Sequence, residues 1–484
     1  MSYFLSEFIQ GGTKMRRKLI STLLCVSMAV TMLTGCGGKE SSSASGTEGT
    51  NTSSKEDASS ENANGEEADS ETEVVTTTGD ANGTHFDMWT FVEMHSQFYS
   101  NMVQKWNEEN PDKTIEVTFT TYPFADMHNK LTLALQSGEG APDLCDVEVG
   151  QFPNFLQGEV QFKELNSFME PYTKDIVQSR IDLYSKDGKN YGVPTHVGAT
   201  VMFYNTKILD QYGIDYTQIK TWDDYTQAGK KLAEASEGKV RMTSVDTAGT
   251  DWLSLSMAEY GEDWTDEQGT ADVTIDSVNK MLTMQQDWLD EGIAMVSPGG
   301  HVDMEEGYAN VADGNIASFP KAMWFMSRFL NYMPEMTDTW AIAPCPVYEE
   351  GQNRSVGIGG TGTVVTNQCE SADLAAEFLA WAKLSEEGEK KIWEDLGFDT
   401  CNTKIWTDKS ITEDTSNKYI SYFKTNPFDT LNEIKDEIGI VKVVTITPTI
   451  GEVFNNTTLN AILEDRQDVT EALQEAQDNV SLEQ

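Results

Sequence analysis

The chain has 484 residues, of which 38% are hydrophobic, and its 79 acidic side chains outnumber the 34 basic ones. The formal net charge of −45 excludes nucleic acid and anionic membrane surfaces as electrostatic partners, and it suits a solvated extracellular protein whose ligand is uncharged. A chain of this length can form two to three domains with a large buried core.

The N-terminal segment contains the parts of a secretory signal in their usual order. The basic triplet Arg-Arg-Lys at 16–18 precedes an apolar run at 19–33, in which Ser and Thr are the only polar residues. This run is shorter than the ~20 residues that a transmembrane helix needs, so a signal is the better interpretation. We predict a signal peptide over residues 1–35, with Met15 as its more natural start.

The stretch Leu-Thr-Gly-Cys that ends at Cys36 resembles a bacterial lipobox. The resemblance implies a thioether-linked lipid on Cys36 and a location at the extracellular face of the cell membrane. The alternative is an ordinary signal followed by a coincidental cysteine. Residues 36–84 contain no aromatic side chain and are rich in Ser, Thr, Gly and acidic residues, which predicts a lipidated N-terminus followed by a disordered acidic tether.

Four cysteines remain beyond the signal and Cys36, namely Cys145, Cys345, Cys369 and Cys401. None of them shows C-x-x-C spacing, so the sequence predicts neither a zinc site nor any other metal. Disulfides are possible outside the cell. Cys145 and Cys345 lie in apolar, strand-like runs, which favours buried free thiols for these two.

From residue 86 onward the apolar residues follow the periods of alternating strands and helices. Strands are predicted at 86–91, 115–119 and 143–149, with amphipathic helical faces at 98–106 and 124–135 between them. This β-α-β-α-β order predicts a parallel sheet with helices on both faces.

Ligands of such sheets bind beyond the carboxyl ends of the strands. Glu93 and His95 follow the first predicted strand, and Glu148 and Gln151 lie at the end of the third. We therefore expect these four side chains to line a ligand site.

The rest of the chain is mixed in pattern, with a glycine-rich stretch at 357–362. Its letters fit G-x-G-x-x-G, but a strand follows where a dinucleotide site needs a helix, so a nucleotide site is excluded. We expect these glycines, Gly360 among them, to let the backbone approach ligand and hinge. The other predictions, in chain order, are a strand at 199–205, a helix capped by Thr221 and running through Ala235, a mainly helical region at 251–336, a strand at 340–347, a helix capped by Ser371, a final strand at 440–447 and a closing helix at about 451–479.

This order of elements resembles the extracellular solute-binding proteins of carbohydrate ABC importers, the group related to maltose-binding protein. The stretches that carry the resemblance are Tyr191–Asn205, Thr221–Asp224 and Asp465–Leu473. Within the group, Trp89–His95 and Pro194–Ala199 look most like the arabino-oligosaccharide and lactose-type binders.

The resemblance implies an α/β, two-lobe periplasmic-binding-protein-like fold with parallel-rich sheets flanked by helices and lobes joined by crossing strands. Carried over, one lobe takes residues 85–200 with 364–440, and the other takes 205–355 with 446–484. Crossings are expected near Val201, Gly359 and Thr445. It also implies that the protein is not an enzyme, has no cofactor, binds a neutral mono- or oligosaccharide in the cleft and delivers it to the transmembrane subunits of an ABC permease.

A sugar presents apolar C–H faces, which aromatic rings cover, and hydroxyl groups, which carboxylates, amides, Arg and His satisfy. The resemblance implies aromatic platforms at Trp252, Trp324 and Phe454, although Trp is usual at the last position. Each of these side chains could instead be core. The full set of predicted ligand-binding residues is Trp89, Glu93, His95, Glu148, Gln151, His196, Trp252, Trp324, Arg328, Gly360 and Phe454, with no catalytic residue among them.

Two other functions remain open on the sequence alone. Paired acids in a sugar cleft are also the tool of glycoside hydrolysis, so an extracellular glycosidase is one alternative. A lipoprotein that senses a sugar and signals to a membrane partner is the other, because it would use the same closed lobes.

Overall fold

A computed structural model describes residues 73–266 and 268–483. The predicted signal peptide, the lipidation at Cys36 and most of the predicted tether lie outside the described residues. The strands are β1 Val74–Gly79, β2 Thr84–Thr90, β3 Ile115–Thr121, β4 Leu144–Glu148, β5 Ser185–Lys186, β6 Lys189–Asn190, β7 Val193–Pro194, β8 Thr200–Asn205, β9 Thr243–Val245, β10 Ala294–Val296, β11 Ser318–Ala322, β12 Trp340–Ala343, β13 Ser355–Val356, β14 Thr361–Val365 and β15 Ile438–Gly439.

Helices alternate with these strands and are longest around the two main sheets. They are α1 Glu93–Glu109, α2 Phe124–Ser137, α3 Phe152–Phe155, α4 Asn166–Met169, α5 Gln178–Asp182, α6 Thr206–Gln211, α7 Trp222–Ala235, α8 Asp251–Tyr260, α9 Asp276–Asp290, α10 Glu305–Ala312, α11 Met326–Tyr332, α12 Ala372–Leu384, α13 Glu386–Lys391, α14 Lys409–Thr412, α15 Lys418–Tyr422, α16 Pro427–Ile434, α17 Thr447–Val453, α18 Leu459–Leu463 and α19 Val469–Ser481. Within the described ranges, no helix combines the length and the apolar character needed to cross a membrane.

The first sheet has the order β1-β3-β2-β4-β14-β7. β2 pairs in parallel with both β3 and β4, and α1 and α2 are the crossovers, so the predicted β-α-β-α-β unit is confirmed. β14 returns antiparallel beside β4 and also pairs with β7. The carboxyl end of β4 therefore lies beside the start of β14, where the chain enters from the second lobe.

Strand β1 lies inside the segment that composition assigns to the tether. It pairs antiparallel with β3 along its whole length, from Val74 opposite Thr121 to Gly79 opposite Glu116. The run Val-Val-Thr-Thr-Thr is β-branched throughout, which favours a strand even though five of the six residues are exposed. Order thus begins before Phe86, and the disordered tether cannot extend to residue 84.

The second lobe is built on a different pairing. β8 lies between β11 and β12 and is antiparallel to both, while β9 and β10 pair in parallel. A parallel bridge between Arg241 and Ile316 connects the two groups of strands. The parallel pairings therefore lie mainly in the first lobe, where α1 and α2 make the crossovers that parallel neighbours need.

Helix α7 confirms the predicted start at Thr221. The Thr221 hydroxyl accepts from the backbone N–H of Asp224, and the Asp224 carboxylate accepts from the backbone N–H of Thr221 in return. This capping box satisfies two donors of the first helical turn. Trp222 then enters the core of the second lobe and packs against Trp252 and Trp288.

The two lobes are joined where the chain segments after β7 and before β14 run side by side. Ile358 N–H donates to the carbonyl of Gly198 at 2.8 Å, and Ala199 bridges to Gly357. Gly198 adopts a φ of +75°, and a Cβ there would lie 2.3 Å from the Ile358 carbonyl oxygen, so only glycine fits this close approach.

The C-terminal third differs from the sequence predictions in three places. The final strand predicted at 440–447 is wrong, since only Ile438–Gly439 pairs, with β13, and α17 begins at Thr447. The closing helix is two segments, because Asp468 caps a new helix that starts at Val469. The predicted strand at 340–347 stops at Ala343, before Pro344 removes a ladder donor.

Part of the segment 364–440, predicted in the first lobe, packs on the second instead. The Tyr422 hydroxyl donates to the Met333 carbonyl at 2.5 Å, and Lys424 N–H donates to the Trp340 carbonyl at 2.9 Å. Phe428 belongs to the core that also contains the β8 side chain Phe203. Residues after the π-helical turn Ile392–Leu396 therefore cover one face of the β11-β8-β12 sheet.

Candidate ligand-binding cleft

A cleft of about 620 Å³ lies at the crossing segments, between the carboxyl end of β4 and the start of helix α8. Glu148 and Gly150 come from the first lobe, Asp251 and Ser254 come from the second, and Gly357 comes from the crossing itself. This volume falls within the ~300–1,000 Å³ typical of small-molecule sites.

Glu148 is the last residue of β4, and its side chain is partly exposed to the cleft. One carboxylate oxygen accepts from the backbone N–H of Gly150 at 2.7 Å. Burial raises the pKa of Glu148 to about 7 and Asp251 adds to the rise, against the opposing effects of the Gly150 and Gln151 amides and the Arg180 charge. At neutral pH the group is thus able both to donate and to accept a hydrogen bond.

Arg180 lies in the short helix α5 and is 5% exposed. Its Nε donates to the carbonyl of His196 at 3.1 Å, and its Nη2 donates to the carbonyl of Gly359 at 2.5 Å. Glycine is required at 360, since a Cβ there would meet Nη2 at 2.3 Å. Arg180 therefore holds the crossing segment while its guanidinium reaches the cleft wall.

Asp251 begins helix α8 and faces Glu148 from the opposite lobe. It forms a direct ion pair with the buried ammonium of Lys321, which is also 3.0 Å from the Nε2 atom of His301. Burial alone would raise the pKa of Asp251, but Lys321 and then His301 outweigh it and keep the pKa below its ordinary value. The second lobe therefore presents an ionised carboxylate to the cleft.

Two indole rings lie in the wall of the cleft but are largely buried, with Trp264 4% and Trp406 2% exposed. Trp264 follows α8 and packs against Phe454, with ring centroids 5.2 Å apart. Trp406 donates its Nε1 proton to the Thr400 carbonyl at 3.0 Å. Phe454 itself is fully buried, so it supports the Trp264 ring and does not face a ligand.

Trp324 lies next to the cleft, in the single turn Met323–Phe325 that follows β11. It is partly exposed, and its Nε1 donates to the carbonyl of Ile358 in the crossing segment at 3.1 Å. Arg328 stands 5.5 Å from the Trp324 ring centroid and pairs with Asp303 at 2.9 Å. The guanidinium of Arg328 is thereby neutralised, which leaves the Trp324 ring as the more available group.

Both predicted histidines lie behind the cleft wall. His95 is 5% exposed, and its Nδ1 is 2.9 Å from the carboxylate of the fully buried Asp146. His196 is equally buried and packs on Phe398, and burial lowers its pKa well below the ordinary value. Their placement favours structural roles and argues against the predicted contact with a ligand.

The remaining predicted residues are spread over the first and second lobes. Trp89 packs edge-on against Tyr122, at 5.3 Å between centroids, and Glu93 is an exposed first residue of α1. Gln151 precedes helix α3. Trp252 is 4% exposed within the Trp222 and Trp288 cluster, so its predicted platform role is replaced by a core role.

Sequence reasoning missed Arg180 and Asp251. Asp251 and Ser254 are one helical turn apart and share the face that meets the cleft, whereas Trp252 points from the same turn into the core. Trp252 was predicted because it is aromatic and large. The helical period, however, points it away from the face that carries its neighbour Asp251. No local pattern marks Arg180, whose role depends on contacts with residues 196 and 359.

Comparison with known proteins agrees with this architecture. The family model for bacterial extracellular solute-binding proteins matches residues 91–389. The arabinooligosaccharide-binding protein of Halalkalibacterium halodurans is 42% identical over 401 residues, covering 82% of this chain and 89% of that protein. The arabinooligosaccharide-binding protein of Bacillus subtilis is 40% identical over 366 residues, covering 75% and 84%.

Solved structures show the same two-lobe fold at lower identity. The galacto-N-biose/lacto-N-biose I-binding protein of Bifidobacterium longum superposes with a TM-score of 0.69, at 21% identity, over 84% of this chain and 97% of that one. A binding protein from Bifidobacterium animalis in complex with β-1,6-galactobiose gives 0.67, at 20% identity, over 83% and 98%. The chain belongs to the bacterial extracellular solute-binding protein family, and so to a family of binding proteins and not of enzymes. The resemblance drawn from the sequence is confirmed.

Proposed function

We propose that this chain is the sugar-binding component of an ABC importer and captures a neutral oligosaccharide between its lobes. The observation that carries the proposal is the cleft itself. It combines carboxylates from both lobes with a guanidinium, which satisfy sugar hydroxyls, and the partly exposed indole ring of Trp324 lies beside it. The 42% identity to a relative named for arabinooligosaccharides supports that class of ligand.

Calorimetric titration of the purified full-length protein tests this proposal. The panel is arabinotriose, lactose, β-1,6-galactobiose and lacto-N-biose, with glucose 6-phosphate as an anionic control. We expect saturable one-to-one binding of at least one neutral sugar, and tightest binding of arabinotriose. A protein that binds none of the neutral sugars would contradict the proposal.

We further propose that the protein is held at the extracellular face of the membrane by a lipid on Cys36 and delivers its sugar to the permease. The lipobox-like stretch that ends at Cys36 and the acidic, aromatic-free segment that follows it support the anchor. Cys36→Ala should move the protein from the membrane fraction to the medium and leave sugar affinity unchanged. Retention of this variant in the membrane fraction would count against the anchor.

Transport and sensing predict different results in cells. If the protein delivers sugar, deleting its gene abolishes uptake of labelled arabinotriose, and the wild-type gene restores it. Cells without the protein that still take up the sugar normally, while losing a transcriptional response to it, would favour the sensing function.

A further inference from the structure

Arg180 has more donor capacity than the protein itself uses. Its Nε and Nη2 donate to two backbone carbonyls and the Tyr184 hydroxyl is a further partner of the guanidinium, but no carboxylate among residues 73–266 and 268–483 forms a direct ion pair with Arg180. The side chain is 95% buried, at 5% exposure, and its remaining surface faces the cleft. A buried guanidinium without a carboxylate partner is costly unless something else satisfies it.

Glu148 stands in the same part of the cleft without touching Arg180. Arg180 is close enough to favour the ionised form of Glu148, yet the two do not form a direct ion pair. The Glu148 carboxylate is held in place by the Gly150 amide at 2.7 Å and pairs with no cation of the described chain. A donor and an acceptor are therefore fixed on one lobe with room between them.

Asp251 supplies a second acceptor from the other lobe. Its contact with Lys321, which is 1% exposed, fixes the carboxylate at the first residue of α8. Asp251 lies near enough to Glu148 to raise the pKa of that group. Two carboxylates and one guanidinium thus converge on the cleft from opposite lobes.

We propose that Arg180, Glu148 and Asp251 form a subsite that binds one neutral sugar ring by adjacent hydroxyl groups and bridges the lobes through it. The Arg180 guanidinium donates to a hydroxyl oxygen, while Glu148 and Asp251 accept hydroxyl protons. Two carboxylates face this ring, so a ring that carries a carboxylate of its own is excluded by charge repulsion. This inference rests on the proposed sugar-binding function and names the residues and the ring chemistry.

The arrangement also separates this subsite from an ordinary internal ion-pair network. In such a network the three groups would pair with one another, whereas Arg180 and Glu148 stay apart and Asp251 pairs with Lys321. A ligand hydroxyl can accept from the guanidinium and donate to a carboxylate at once, which satisfies both charged groups in a single contact.

The test is calorimetry on Arg180→Lys, Glu148→Gln and Asp251→Asn, each checked by its melting temperature. Arg466→Lys and Glu291→Gln are matched controls, because both residues form exposed ion pairs outside the cleft. The titrants are arabinotriose, lactose, β-1,6-galactobiose and lacto-N-biose, with digalacturonate as the acidic sugar. We expect each cleft variant to lose at least about tenfold in affinity for the sugar that the wild type binds best, and the controls to lose none.

The outcomes are distinguishable. If the wild type binds a neutral sugar and the three cleft variants bind it equally well, the subsite is overturned and the proposed function stands. If the wild type binds none of the neutral sugars, both the subsite and the proposed function are contradicted. Tighter binding of digalacturonate than of any neutral sugar would contradict the proposal that the bound ring is neutral. If Arg180→Lys does not fold, since Arg180 also holds the crossing segment, the Glu148 and Asp251 variants decide the question.

Discussion

Trp324 and Ile358 are joined by a hydrogen bond from the indole Nε1 to the backbone carbonyl oxygen at 3.1 Å. Ile358 lies in the crossing segment, and its own N–H donates to Gly198 of the neighbouring crossing. The neighbouring Gly359 carbonyl accepts from Arg180 of the first lobe. Consecutive carbonyls of one crossing are thus held by side chains from the two different lobes.

Trp324 can therefore contribute to sugar binding in two ways, by its ring beside the cleft and by its hydrogen bond to Ile358 of the crossing segment. Trp324→Ala should lower sugar affinity about 10- to 100-fold, because both are lost. Trp324→Phe keeps an aromatic face and loses the bond, so its affinity should lie between those of the wild type and the Ala variant. Calorimetry alongside melting temperatures measures both. An Ala variant that melts early but binds normally when folded would show that the predicted platform is only a packing residue.

Trp252 should behave in the opposite way to Trp324. Trp252 is a core residue packed on Trp222 and Trp288, so Trp252→Ala should cost about 3–5 kcal/mol of folding free energy. Trp324 is partly exposed beside the cleft, so Trp324→Leu should weaken sugar binding with the smaller loss of stability. Urea unfolding gives the stabilities, and titration at a temperature where each variant is folded gives the affinities. Loss of affinity in folded Trp252→Ala without loss of stability would contradict the assignment.

Stability should fall as pH rises from about 6.5 to 8. Burial raises the pKa of Glu389 to about 8 from an ordinary 4.5, and that of Asp399 to about 7 from 3.8. In this interval the folded protein holds protons that the unfolded chain has already released, so raising the pH favours unfolding, by up to ~1.4 kcal/mol per pH unit and proton. Two groups of opposite sign bound the interval: His196, whose pKa burial lowers, acts below about 6.5, and Lys383, whose pKa burial lowers to about 8, acts near and above pH 8.

Melting temperatures of the wild type and of Glu389→Gln at several pH values measure this effect. The Gln variant should show a smaller fall, since it removes one of the groups that titrate. Glu387→Gln is the matched control, because Glu387 lies two residues away in the same helix and forms a partly exposed pair with Lys105. A wild-type melting temperature that is constant or rises over the interval would refute the account.

The periodic parts of the fold could be predicted from the sequence. Burial on both faces of the first sheet imposes regular apolar patterns on its elements, and these patterns predicted α1, α2, β2, β3 and β4. The start of α7 was predictable because Thr221 and Asp224, three residues apart, form the capping box. β1 could have been recognised from its β-branched run, but the acidic composition around it concealed the signal. The packing of Phe423 against Phe203, with ring centroids 5.9 Å apart, spans more than two hundred residues and has no local signature.

The candidate site was predictable only in part, for a similar reason. Glu148 follows from the rule that ligands bind at the carboxyl ends of strands, and the structure places it in the cleft. His95 obeys the same rule, yet the buried carboxylate of Asp146 draws it into the core. Choosing among polar residues at one sheet edge requires knowledge of which of them already have partners, and that depends on the whole fold.

A crystal structure of the protein grown with arabinotriose would show directly whether the cleft holds a sugar. We expect density for a sugar in the cleft, with one ring between Glu148 and Asp251 and within hydrogen-bonding distance of Arg180. Sugar density on another surface, with the cleft occupied only by solvent, would contradict this expectation.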